Sequence, residues 1–142
     1  MPIVTSSEFE STIVPSVPGD ARRADVEMIS PFVQLDTLSK LPAGWNGYGA
    51  DPIDPAIIAV ARRFLADLSL DAVGHPQILP MTRGRLQLEW NRGDRSLELE
   101  FEDIESIHFL KWDPQAGIEE EDVIPIREIG AVRELIAWFA LK

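Results

Sequence analysis

Glu89, Glu98 and Glu100 each sit between apolar residues, and Glu102 follows Phe101 at the same spacing of two, so in extended backbone they project from one face. Carboxylates held side by side can bind a divalent cation or move protons. Metal-dependent nucleases follow a strand carboxylate with a Glu-x-Lys pair. Here Glu98-x-Glu100 leads to Glu102, and the nearest strand lysine, Lys111, lies on another strand. Without that lysine the pattern reads as a solvated acidic sheet face or as a charged docking surface, and no catalytic residue, metal ligand or cofactor is assigned. His75, before Pro76, and His108, within a strand, lack the local spacing of a zinc motif and are expected to be structural. No Gly-x-Ser-x-Gly elbow occurs, and the absence of cysteine removes thiolate ligands, disulfides and Cys nucleophiles together.

A second constellation is Gly44-Trp45-Asn46-Gly47-Tyr48-Gly49-Ala50. Glycines beside a helix N-terminus can cradle a phosphate. This segment has no Lys, Arg or hydroxyl-bearing Ser or Thr to hold one, and Asp51 and Asp54 would repel it. Trp45 and Tyr48 are instead expected to anchor a tight turn, with the glycines at positive φ. The alternative is a protein-binding loop. The candidate partner-binding set is therefore Glu89, Glu98, Glu100, Glu102, Trp45 and Tyr48.

The elements that must position these residues are read from periodicity. Residues 1–30, with Pro2, Pro15 and Pro18, read as an irregular N-terminal arm, with an edge strand around Phe9 to Val14. Residues 31–142 read as a single α+β domain. Ser30-Pro31 supplies an N-cap and a first-turn proline, and Phe32, Leu35, Leu38 and Leu41 recur along a helix ending near Leu41 before Pro42. Asp54-Pro55 opens a second helix in the same way. It carries Ile57, Ile58, Val60, Ala61, Phe64, Leu65 and Leu68 on a broad apolar arc and ends before Gly74.

Leu86, Leu88 and Trp90, then Leu97, Leu99 and Phe101, alternate with polar residues as two strands. A loop at Arg92-Gly93 sets Leu88 opposite Leu97 and Arg85 opposite Glu100, whereas a loop at Gly93-Asp94 opposes Glu89 to Glu98. Opposed like charges favour the first register. Strands over Gln77–Met81 and Ser106–Trp112 extend the meander. In the latter, Leu110 and Trp112 give the polar face an apolar component that something else is expected to cover. Glu119-Glu120-Glu121-Asp122 reads as a solvated loop, followed by an edge strand from Val123 to Ile126. Ile129, Val132, Leu135, Ile136 and Phe139 form a terminal helix. The expected fold is α+β: an antiparallel β-meander of four to five strands, packed with two N-terminal helices and one C-terminal helix.

The run Leu41-Pro42-Ala43-Gly44-Trp45-Asn46-Gly47-Tyr48-Gly49-Ala50, with Pro52, the helix after it, Leu86-Gln87-Leu88-Glu89-Trp90 and Leu97-Glu98-Leu99-Glu100-Phe101, resembles a set of small bacterial proteins with a Gly-Trp-Asp/Asn-Gly-Tyr-Gly-Ala type signature. The likeness covers Leu38 to Phe101. It implies a bacterial or phage origin and carries over no activity, cofactor or catalytic residue.

The chain has 142 residues, enough for one core, and a net charge of −11. Between Glu89 and Glu128 there are 13 acidic residues against four basic ones, so −9 of that charge is concentrated in one stretch. Such a field repels phosphate backbones and anionic lipid and attracts a basic protein. The expectations are no direct nucleic acid, no membrane and a basic protein partner, with a homodimer also open. No signal peptide is read at the N-terminus, where Glu8 and Glu10 interrupt any apolar run, and the cytoplasm is the expected compartment. The leading functional expectation is a non-enzymatic binding module such as an antitoxin, immunity protein or defence inhibitor. The alternatives are a metal-dependent enzyme using the same carboxylates, or a structural subunit of a larger assembly in which Trp112 and Trp138 are buried.

Overall fold

The computed structural model describes residues 29–71 and 73–141. The arm expected over residues 1–30, with its edge strand, lies outside them apart from Ile29 and Ser30. Helix α1 (Pro31–Leu38) starts where Ser30 Oγ accepts from Phe32 N at 3.2 Å and Pro31 takes the first helical position. It ends three residues before Leu41. Lys40 N and Leu41 N donate three residues back, to Thr37 and Leu38, and Pro42 disfavours helical backbone at Leu41. A three-residue spacing also drifts around a helix of 3.6 residues per turn, so Leu35 and Leu38 are buried while Phe32 is exposed.

Helix α2 (Pro55–Ala66) begins at Asp54, whose Oδ1 accepts from Ala56 N at 2.9 Å. It buries Ile57, Ile58, Ala61, Phe64 and Leu65. Five antiparallel strands follow in spatial order β1 (Gln77–Met81), β2 (Arg85–Arg92), β3 (Arg95–Phe101), β4 (Ser106–Asp113) and β5 (Ile118–Pro125), and helix α3 (Ile129–Ala140) closes the described chain. Among the described residues the fold is α+β, a five-stranded meander with two helices before it and one after it.

Ile78, Leu86, Leu88, Trp90, Leu97, Leu99, Phe101, Ile107 and Phe109 form the apolar face of the sheet. The helices complete one core on that face. Phe64 meets Phe101 edge-on at 5.3 Å, and Leu35, Leu38, Val132, Leu135 and Phe139 join the same cluster. Because all three described helices pack there, no second layer lies on the carboxylate face among the described residues. No described helix is long and apolar enough to cross a membrane.

Two expectations about the sheet are corrected. The β2–β3 register pairs Leu88 with Leu99, Glu89 with Glu98 and Arg92 with Arg95, so the loop is Gly93-Asp94 and the like charges do face each other. The turn decides this. Gly93 takes φ +60° and Asp94 is not left-handed, the type II′ pattern with glycine first. A loop at Arg92-Gly93 would put arginine in that first position. The acidic run is also not a loop: Glu119–Asp122 lie in the middle of β5, paired with Trp112, Lys111, Leu110 and Phe109. An edge strand leaves side chains in water, so carboxylates are tolerated there.

Candidate acidic sheet face

Alternation along β2, β3, β4 and β5 places Gln87, Glu89, Glu98, Glu100, Glu102, His108, Leu110, Trp112, Glu121 and Val123 on the face away from the helices. Across the strands Glu100 lies between Gln87 and His108, and Glu98 lies between Glu89 and Leu110. The four glutamates expected to act together are therefore one patch. It also contains exposed apolar surface, since Trp112 is 43% and Val123 51% accessible. The cover expected over Leu110 and Trp112 is not supplied by any described element.

The charges within the patch are unequal. Burial, then the Glu89 and Glu100 carboxylates, push the Glu98 pKa above its ordinary value of 4.5, and His108 opposes them. Asn91 Nδ2 donates to Glu89 Oε2 at 3.0 Å, stabilising the other member of the opposed pair. Arg85 Nη1 lies 2.7 Å from Glu100 Oε2 and 3.7 Å from Glu102 Oε2. The Arg85–Glu100 pair expected from the other register thus survives as a diagonal contact. It is ionic in character, because this buried Oε2 has no partner in hydrogen-bonding geometry. His108 Nε2 approaches Glu121 Oε1 at 2.8 Å, an ion pair only when the imidazole is protonated. Lys111, on the helix side, pairs with Glu120 at 3.3 Å.

His108, expected from the sequence to be structural, stands on this face. The strand pairing puts it directly opposite Glu100, and donor atoms of Glu100, Glu102 and His108 lie within 4.8 Å of one another. The spacing of His108, Leu110 and Trp112 already carried a signal for the shared face. What it lacked was the register that brings β4 beside β3.

Trp45 and Tyr48 are not part of this face. They belong to the loop before α2, on the helix side. Trp45 Nε1 donates to Asp51 O at 2.8 Å, and Asn46 Oδ1 accepts from Tyr48 N and Ala50 N. Gly44 N donates to Ala50 O at 2.7 Å, and Gly44, Gly47 and Gly49 all have φ near +80°. The loop spends these backbone donors on itself, as a turn does and a phosphate cradle does not. Trp45 anchors it. Tyr48 does not, being 91% exposed.

A further charged centre went unforeseen. Arg95 is buried on the helix side, where Nη1 and Nη2 donate to Phe139 O and Trp138 O at 3.0 and 2.7 Å. Its guanidinium lies 4.4 Å from the Trp138 ring centroid, and Nε is 3.1 Å from Asp113 Oδ2 without hydrogen-bonding geometry. Trp138, expected to seek another chain, is occupied by Arg95 and by Lys111 at 5.0 Å. Comparison with protein-family models, curated proteins and solved structures finds no match, so the functional reading rests on this geometry.

Proposed function

We propose that the chain is a non-enzymatic binding module whose carboxylate face docks on a basic protein, in the manner of an antitoxin, immunity protein or defence inhibitor of a bacterial or phage cytoplasm. One observation carries the reading: Glu89, Glu98, Glu100 and Glu102 share a sheet face that has no second layer among the described residues and that also exposes Trp112 and Val123. Negative potential steers a basic partner into encounter, and the exposed apolar groups supply area to bury once it arrives. The experiment is affinity capture from host lysate at low salt, comparing the native chain with a folded Glu89→Lys/Glu98→Lys variant. The same basic protein should be retained by the native chain and lost, by about tenfold or more, from the variant and at high salt. Capture indifferent to charge reversal overturns the reading.

The proximity of Glu100, Glu102 and His108 favours a second reading, a divalent-cation site. An ion there must displace Arg85 from Glu100. Manganese or zinc should then raise the melting temperature in proportion to RT ln(1 + [L]/Kd), and Glu102→Gln should abolish the rise. A flat response removes this reading and leaves the first intact.

A further inference from the structure

The two edges of the sheet are finished differently. On β1 the outward N–H groups are spent: Gln34 Oε1 accepts from Ile78 N at 2.8 Å and Pro80 has no N–H, while Gln34 Nε2 donates to Pro76 O at 2.9 Å just before the strand. β5 is terminal in the strand order, and no described strand pairs with its outer side. The phase of its hydrogen bonds follows from Ile126 N, which donates to Glu105 O at 2.8 Å. Residues alternate along an antiparallel ladder, so Glu120, Asp122 and Ile124 turn their N–H and C=O toward β4, while Glu119, Glu121 and Val123 turn theirs outward. Asp122 Oδ1 accepts from Val123 N at 2.8 Å, consistent with an N–H that has no ladder partner.

We infer that the partner adds an extended basic segment antiparallel to the outer edge of β5, hydrogen-bonding to Glu119, Glu121 and Val123. This deepens the acidic-face reading and rests on it. The residues with outward backbone groups carry their side chains on the carboxylate face, so the incoming residues directly opposite them extend that face by one strand. Lysine or arginine at those positions meets Glu119 and Glu121. The inner side of β5 already shows this chemistry, with Lys111 paired to Glu120 and His108 to Glu121. The same carboxylates refuse a second copy of β5, whose acidic run would oppose like charges. The open edge selects by sign.

The geometry makes a phase-specific test possible. A fluorescently labelled seven-residue peptide alternating Lys and Thr is titrated with the full chain at low salt by anisotropy. Two further peptides carry N-methyl groups, one on its lysine amides and one on its threonine amides. In antiparallel addition the residues opposite Glu119 and Glu121 direct their own N–H at β5, so methylating the lysine amides should weaken binding by at least about tenfold, and methylating the threonine amides should not. Val123→Pro should weaken the unmodified peptide comparably with the face charge unchanged, and its fold should persist because that N–H lies outside the β4 ladder. If both methylated peptides bind like the parent and only a Glu98→Gln/Glu100→Gln variant loses them, strand addition is overturned while face docking stands. If no peptide binds, strand addition is again overturned, and face docking is decided by the charge-reversal capture.

Discussion

Arg95 holds the C-terminal turn of α3 by two hydrogen bonds to its last carbonyls, lies against Trp138 and balances Asp113. Replacing it with Met keeps volume but leaves Asp113 buried without its counter-charge. The expected loss of stability is about 3 kcal/mol, read from chemical denaturation. A loss below about 1 kcal/mol would mean that the two carbonyls and Asp113 find water instead. Glu98 has the opposite sign. Its raised pKa means that the folded chain holds this proton more tightly than the unfolded one, so stability falls as pH rises from 4.5 through the raised value. Below 4.5 the side chain is protonated in both states and the penalty vanishes. Glu98→Gln should therefore raise the melting temperature at neutral pH, with the gain fading toward pH 4.5. A pH-independent gain would assign the effect to packing rather than charge.

Two glycine turns test what positions the strands. Gly84 and Gly93 both have positive φ, but a Cβ on Gly93 meets nothing within 4 Å, whereas one on Gly84 meets Asp54 N and Pro52 O at 3.3 Å. Gly93→Ala should cost about 1 kcal/mol of conformational strain. Gly84→Ala should cost more, because Asp54 N donates to Gly84 O and this contact ties the entry of α2 to the β1–β2 turn. Equal costs in matched denaturation curves would show that the α2 entry moves freely with the turn. At this scale much was legible in the sequence. Ser30-Pro31 and Asp54-Pro55 marked both N-terminal helices, and the alternation from Leu86 to Phe101 marked two strands and their faces. The register was misread because repulsion between Glu89 and Glu98, one weak pairwise effect, was set above the backbone demand of a glycine-first turn. β5 was half-missed because Glu119–Asp122 have the composition of a loop, and only the neighbouring β4 makes that segment extended. The four glutamates were recognised as a group and Arg85 was expected beside Glu100, but His108 and Glu121 join them through cross-strand geometry that no local pattern contains.

Taken whole, the chain carries −11, and Glu89, Glu98, Glu100, Glu119 and Glu121 share one side of the sheet. Raising ionic strength from about 0.01 M to about 0.1 M shortens the screening length from about 30 Å to about 10 Å, which weakens repulsion across the face. The melting temperature should rise over that range in sodium chloride. A fall would mean that the Arg85, Lys111 and His108 pairs outweigh the repulsion. Gln34 has a reach that exceeds its own helix: besides closing β1 it donates to Ile29 O at 3.1 Å, joining the residue that precedes α1, α1 itself and the first strand through one amide. The Ile78 amide proton therefore reports on α1. In hydrogen exchange it should open with the undocking of that helix, at lower free energy than the β2 and β3 amides that open only on global unfolding. A single slow amide at the margin of the sheet would thus serve as a clock for the attachment of α1.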